Sequence, residues 1–274
     1  MTYHCLRTKE GERFFREAGV GAPVVLLHCS AGSSAAWLPV MNDLCRDYRL
    51  LAPDLLGYGR GAPWPAGKVL LQDEELGFVD ALLALAGRPV HLVGHSYGGA
   101  IALRAAIRFA PQIASLTLIE PVAFHLLRQA GAPDGWGEIA ALAERHVGLA
   151  VEGRDAAAAD MFLSYWMGAQ AAQLPEASRD TAVRTAAKVA AEWQLMFAMA
   201  DDRDALARLD LPTLLVCGGR TRTPARRVIE ELRTILPAVT CHELPKAGHM
   251  SPMTHPADIA HLIRQHVGRI ACAA

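Results

Sequence analysis

Apolar and polar positions divide the chain into short, continuously apolar runs that alternate with longer stretches of helical period. Val24-Val25-Leu26-Leu27-His28, Leu50-Leu51-Ala52-Pro53-Asp54, Pro89-Val90-His91-Leu92-Val93, Ser115-Leu116-Thr117-Leu118-Ile119-Glu120 and Pro212-Thr213-Leu214-Leu215-Val216-Cys217 are each bounded by turn residues. Such runs predict strands buried on both faces. Residues 5–8 and 13–17 predict two shorter strands around a Glu10-Gly11 turn, and residues 239–244 a last strand. Helical spacing returns at Leu38, Met41, Leu44 and Cys45, over 70–86, from 97 to about 111, over 225–236 and over 257–270. Strands that alternate with helices predict an α/β fold, a mostly parallel, doubly wound sheet with helices on both faces.

The alternation breaks between residues 122 and 209. That stretch is rich in Ala, carries Leu, Met and Trp at helical spacing, and is interrupted by Gly131-Ala132-Pro133-Asp134-Gly135 and by Pro175. The expected organisation is a core built from 1–121 and 210–274, with residues 122–209 as a helical cap inserted after the strand that ends at Glu120. That strand end lies on the carboxyl edge, where open α/β sheets bind ligands.

Composition narrows the function classes. A chain of 274 residues that is 52% hydrophobic and 20% charged builds a sizeable core and is not disordered. A net charge of −1 leaves no electrostatic footprint for nucleic acid or an anionic membrane. No apolar run is long enough to span a bilayer, and Met1-Thr2-Tyr3-His4-Cys5 does not open a signal peptide. The six cysteines are scattered and read as reduced thiols, so the expectation is a cytoplasmic protein. No His/Cys cluster has metal-ligand spacing, and neither a metal nor a cofactor is expected. The pattern says nothing of the oligomeric state.

The chemistry concentrates at Gly94-His95-Ser96-Tyr97-Gly98-Gly99. An apolar run leads into it and helix-forming residues leave it, which is the strand, sharp turn and helix that give a G-x-S-x-G pattern its meaning. Ser96 is then a nucleophile held out of the sheet, with the Tyr97 N–H beside it as an oxyanion donor. A serine hydroxyl needs a base. Of eleven histidines, His249 stands in the loop between the last strand and the last helix, at the edge that can reach Ser96. His95 is expected to point away from Ser96, into the packing around the turn.

Four stretches together resemble the α/β-hydrolase superfamily: Val25-Leu26-Leu27-His28, Ala52-Pro53-Asp54-Leu55-Leu56-Gly57-Tyr58-Gly59, the Ser96 motif, and Ala247-Gly248-His249. The resemblance covers nearly the whole chain and implies the superfamily's fold with a serine–histidine pair. It also exposes a departure. Similar proteins carry an Asp at the position occupied here by Thr221, and no carboxylate stands between Asp210 and Glu230. Some superfamily members, haloalkane dehalogenases among them, place the acid at the strand end held here by Glu120. Glu120 is therefore the expected acid, with Asp201, Asp202 and Asp204 as weaker candidates. Similar proteins draw the second oxyanion donor from the loop after the first parallel strand, which implies Ser30. There His28-Cys29 replaces His-Gly, and Cys29 reads as a packed thiol.

Aromatic and Met residues of the insertion build its own core and contribute a pocket wall, for which Phe124, Trp166 and Trp193 are candidates together with Met250. A mostly apolar pocket favours a small, largely apolar acyl substrate. The expected function is a serine hydrolase of carboxylic esters working through an acyl-enzyme. C–C bond hydrolysis, lactonase and perhydrolase chemistry on the same site, or low-turnover ligand binding, are the alternatives. A serine nucleophile argues against dehalogenase chemistry, for which similar enzymes use an aspartate.

Overall fold

The computed structural model describes residues 1–8, 11–130, 133–200 and 202–271. Its apolar runs form one eight-stranded sheet in the order β1-β2-β4-β3-β5-β6-β7-β8. The strands are β1 (Thr2–Thr8), β2 (Gly11–Ala18), β3 (Ala22–Leu27), β4 (Tyr48–Pro53), β5 (Val90–His95), β6 (Ile113–Ile119), β7 (Thr213–Gly218) and β8 (Val239–Leu244). β1, β2 and β4 pair antiparallel. From β4 through β3, β5, β6 and β7 to β8 every pairing is parallel. The first two strands run longer than expected, and the Glu10 half of their turn lies outside the described residues.

β4 follows β3 on one side, and β6, β7 and β8 follow β5 outward on the other, so the carboxyl ends of the neighbours β3 and β5 form the topological switch point. Side chains alternate across the sheet as the pleat requires. Val25 and Leu27 enter one apolar cluster, Val24 and Leu26 the other. α1 (Leu38–Leu44) and α12 (Pro256–Ala271) cover the second cluster. α2 (Gln72–Ala86), α3 (Tyr97–Phe109) and α10 (Thr223–Ile235) cover the first.

Between β6 and β7 the described chain contains no strand. It runs through α4 (His125–Gln129), α5 (Pro133–Val151), α6 (Asp155–Met167), α7 (Glu176–Arg184), α8 (Ala186–Ala198) and α9 (Arg203–Ala207). Ile139, Trp166, Val189, Trp193 and Met196 of this insertion belong to the same apolar cluster as α3, so insertion and sheet share one core. Gly131 and Ala132 lie outside the described residues. α11 (Ser251–Thr254), a short helix the sequence pattern does not announce, joins the loop after β8 to α12. No helix among the described residues is long and apolar enough to cross a membrane.

Candidate active site

Ser96 sits between β5 and α3 with φ 55° and ψ −118°, a conformation that L-residues avoid. Its surroundings enforce it. The Ser96 N–H donates to the Ile119 carbonyl and its own carbonyl accepts from the Val122 N–H. A Cβ at Gly94 would lie 2.4 Å from the Gly98 carbonyl oxygen, and one at Gly98 would lie 2.4 Å from that of Leu27. The crossing of strand and helix is too close for side chains at either place.

His249 arrives on the loop after β8, which is laced to the loop after β7: the Gly219 N–H donates to Leu244 and the Arg220 N–H to Ala247. Ser96 Oγ lies 2.9 Å from His249 Nε2, and His249 Nδ1 lies 2.7 Å from Glu120 Oε2. The carboxylate fixes the tautomer, with Nδ1–H donating to Glu120 and Nε2 accepting from the serine hydroxyl. Glu120 is fully buried. Burial alone would raise its pKa, but bonds from His249, the Thr221 hydroxyl and the Gly218 N–H outweigh it and hold the carboxyl below its ordinary range. The Thr221 hydroxyl, on the loop after β7, thus donates directly to this buried carboxylate. Asp202 instead pairs with Arg104 and with His125, Asp204 is exposed, and Asp201 lies outside the described residues.

Ser30 lines the same pocket as Ser96, and Tyr97 follows Ser96 at the start of α3. Ala31, next to Ser30, has φ 54° and Glu120 has φ 43°, so the non-glycine residues with positive φ among those described, Ala31, Ser96 and Glu120, all gather at this edge. Cys29 is buried and its thiol is pushed up to about 12 by desolvation, which removes it as a competing nucleophile.

A pocket of about 390 Å³ opens on Ser96 and His249, with walls from the Cys29–Ser33 loop, from Phe162, Leu163, Trp166 and Met167 of α6, and from Ala177, Ser178 and Thr181 of α7. Cys29 and His249 are the ionisable side chains in its wall. Trp166 stacks on the His249 ring at 3.9 Å between centroids, and Met250 lines the same wall. Phe124 and Trp193 do not line it. They are buried behind Trp166, stacked with each other at 6.1 Å, because α8 turns its aromatic face to the shared core. Among the described residues no group of three His, Cys, Asp or Glu gathers to hold a metal ion.

The model of the alpha/beta hydrolase family matches residues 24–262, which takes in Ser96, Glu120 and His249. The chain belongs to this family. This alpha/beta hydrolase is 32% identical over 134 residues to a 2-hydroxymuconate semialdehyde hydrolase of a Pseudomonas species, covering 47% of this chain and 46% of the relative. It is 38% identical over 107 residues to a haloalkane dehalogenase of Agrobacterium fabrum, covering 39% of this chain and 34% of that one. The chain thus spans less than half the length of these curated relatives. Among solved structures, an esterase of Thermogutta terrifontis superposes with a TM-score of 0.76 at 21% identity over 98% of this chain and 99% of that chain. An esterase from Exiguobacterium antarcticum gives 0.80 at 18% identity over 96% and 98%. At these identities the likeness speaks for the fold.

Two histidines of the hydrolase to which the sequence assigns no chemistry brace its loops. His28 Nδ1–H donates to the Cys29 carbonyl at 2.7 Å and Nε2 accepts from the Leu55 N–H at 3.0 Å, which ties the loops after β3 and β4 together. The His95 Nε2–H donates to the His249 carbonyl at 2.8 Å. Burial and the neighbouring His249 lower the His95 pKa to about 3, so it stays neutral and braces the loop of the very residue that faces Ser96. The signal for both was present, a His at a strand end followed by loop carbonyls, but only the through-space partner gives it meaning.

Proposed function

We propose that this alpha/beta hydrolase is a serine hydrolase that cleaves a small, largely apolar carboxylic ester through an acyl-enzyme, with Ser96 as nucleophile, His249 as base and Glu120 as acid. The observation that carries this reading is the continuous relay from Ser96 Oγ to His249 Nε2, 2.9 Å, and from His249 Nδ1 to Glu120, 2.7 Å, ending at a buried carboxylate. His249 takes the serine proton as Ser96 attacks the carbonyl, and the charge that develops on the imidazole is met by Glu120. The oxyanion is received by the Ser30 and Tyr97 N–H groups, each such donor being worth about 2.7–4 kcal/mol in the transition state. The alcohol leaves with the proton from His249, and a water activated by the same imidazole releases the acid. In this reading residues 122–209 act as a cap over the active edge, and their uncharged wall supports an apolar acyl group. The free thiols Cys5, Cys29, Cys45, Cys217 and Cys241 support work in a reducing compartment, the cytoplasm.

Hydrolysis of p-nitrophenyl esters of two to eight carbons tests this. Wild type is expected to turn them over, Ser96→Ala to lose about 10⁴-fold or more in kcat, and Glu120→Gln about 10²- to 10⁴-fold through the wrong tautomer. Absent ester turnover, together with no labelling of Ser96 by a fluorophosphonate, would overturn the reading. A silent Glu120→Gln beside a dead Ser96→Ala would remove Glu120 alone.

A further inference from the structure

Lys188 and Glu192 stand one turn apart on α8 and are both fully buried. Lys188 Nζ donates to Glu192 Oε1 at 2.8 Å and to Glu75 Oε1 of α2 at 2.9 Å. Glu75 also accepts from the Tyr97 hydroxyl at 3.1 Å. Glu192 accepts from the Tyr58 hydroxyl at 2.8 Å and, through its other oxygen, from Ser30 Oγ at 2.5 Å. The Lys188 stem runs over Gly57, whose φ of +75° and close neighbours leave no room for a side chain.

A buried ion cluster of this kind is a poor route to stability, since well-packed apolar residues of the same volume usually do as well. What distinguishes it is where its two ends lie. One closes on Tyr97, which follows Ser96 in the chain, and the other on Ser30, which lines the same pocket as Ser96; these are the two N–H donors of the proposed function. The Ser30 end needs holding, because Ala31 beside it is in the left-handed region and a loop in that conformation persists only when its surroundings over-determine it.

We propose that Glu192, braced by Lys188, is a positioning residue that grips Ser30 Oγ and so aims the Ser30 N–H at the oxyanion, making turnover conditional on the docking of α8 onto the sheet. The proposal rests on the serine-hydrolase reading. Its substance is that Glu192 acts through Ser30, and a double-mutant cycle measures that coupling. With p-nitrophenyl butyrate, Ser30→Ala and Glu192→Gln are each expected to lower kcat ten- to a hundredfold with KM within threefold. The double variant is expected to lose no more than the worse single, and Ser30→Thr, which keeps the hydroxyl, to retain most of the wild-type kcat. A trifluoromethyl ketone, which presents an oxyanion, should weaken in step with kcat/KM. Losses that multiply in the double variant, or singles with wild-type kcat, would overturn the proposal. Should Glu192→Gln fail to fold, the Ala and Thr variants at the half-buried Ser30 decide alone, and equal kcat in both rejects it. A wild type without ester turnover, or an active Ser96→Ala, sinks the serine-hydrolase reading and this proposal with it. An active wild type with a dead Ser96→Ala and a multiplicative cycle sinks only the proposal.

Discussion

A hydroxyl and a carboxylate at position 221 would act in opposite ways on Glu120. The Thr221 hydroxyl donates to Glu120 and helps to keep it ionised while buried. An aspartate there would set a second negative charge against the same carboxylate and raise its pKa. Thr221→Asp is accordingly expected to lower kcat/KM at least tenfold and to move the acidic limb of the pH–rate profile to higher pH. Thr221→Val, which only removes a donor, should cost less than tenfold and shift the limb in the same direction by less. Both are read from kcat/KM of one ester across pH 4–9. A Thr221→Asp variant as active as wild type would mean that the acid can be housed at either strand end.

At the scale of elements, what the sequence made legible was what local pattern determines. The parallel strands, the turn around Ser96 and the loop carrying His249 follow from apolar runs, glycine placement and chain order, and they stand where the pattern put them. The helical insertion was legible as helix because its period is strong. Which of its faces meets the pocket was not, since a stripe of aromatics fixes a helix's apolar side but not the neighbour it packs on. Hence Phe162, Leu163 and Met167 line the pocket, while Phe124 and Trp193 stand behind it. Lys188 and Glu192 were invisible for a related reason. One turn apart in an Ala-rich helix they look like a solvated ion pair, and only the approach of Glu75, Tyr58 and Ser30 from distant elements shows them buried. The pairing of Thr221 with Glu120 likewise spans 101 residues of chain, beyond any spacing rule.

For the molecule as a whole, several buried imidazoles set its tolerance of acid. Desolvation lowers His91 and His146 from 6.5 to about 4, and His95 to about 3. They stay neutral in the fold and take up protons only on unfolding, so the stability they contribute is full above pH 6.5 and is lost as the pH drops toward 4. A group that takes up one proton on unfolding gives a slope of at most about 1.4 kcal/mol per pH unit within that window. Urea denaturation at stepped pH should show this limb, and His146→Leu, which removes a ring whose Nδ1 has no hydrogen-bond partner among the described residues, should flatten it. A limb of unchanged steepness in that variant would take His146 out of the account. The left-handed residues Ala31, Ser96 and Glu120 bear on heat as the imidazoles bear on acid. Each such conformation costs about 1–3 kcal/mol, and glycine would relieve it. Ala31→Gly should therefore raise the calorimetric midpoint by about 2–4 °C per kcal/mol recovered. A midpoint at or below that of wild type would show that the loop carries no such strain. In the proposed function the same relief at Ser96 or Glu120 would delete a member of the relay, so selection for heat resistance and selection for turnover would pull in opposite directions along this one edge of the sheet.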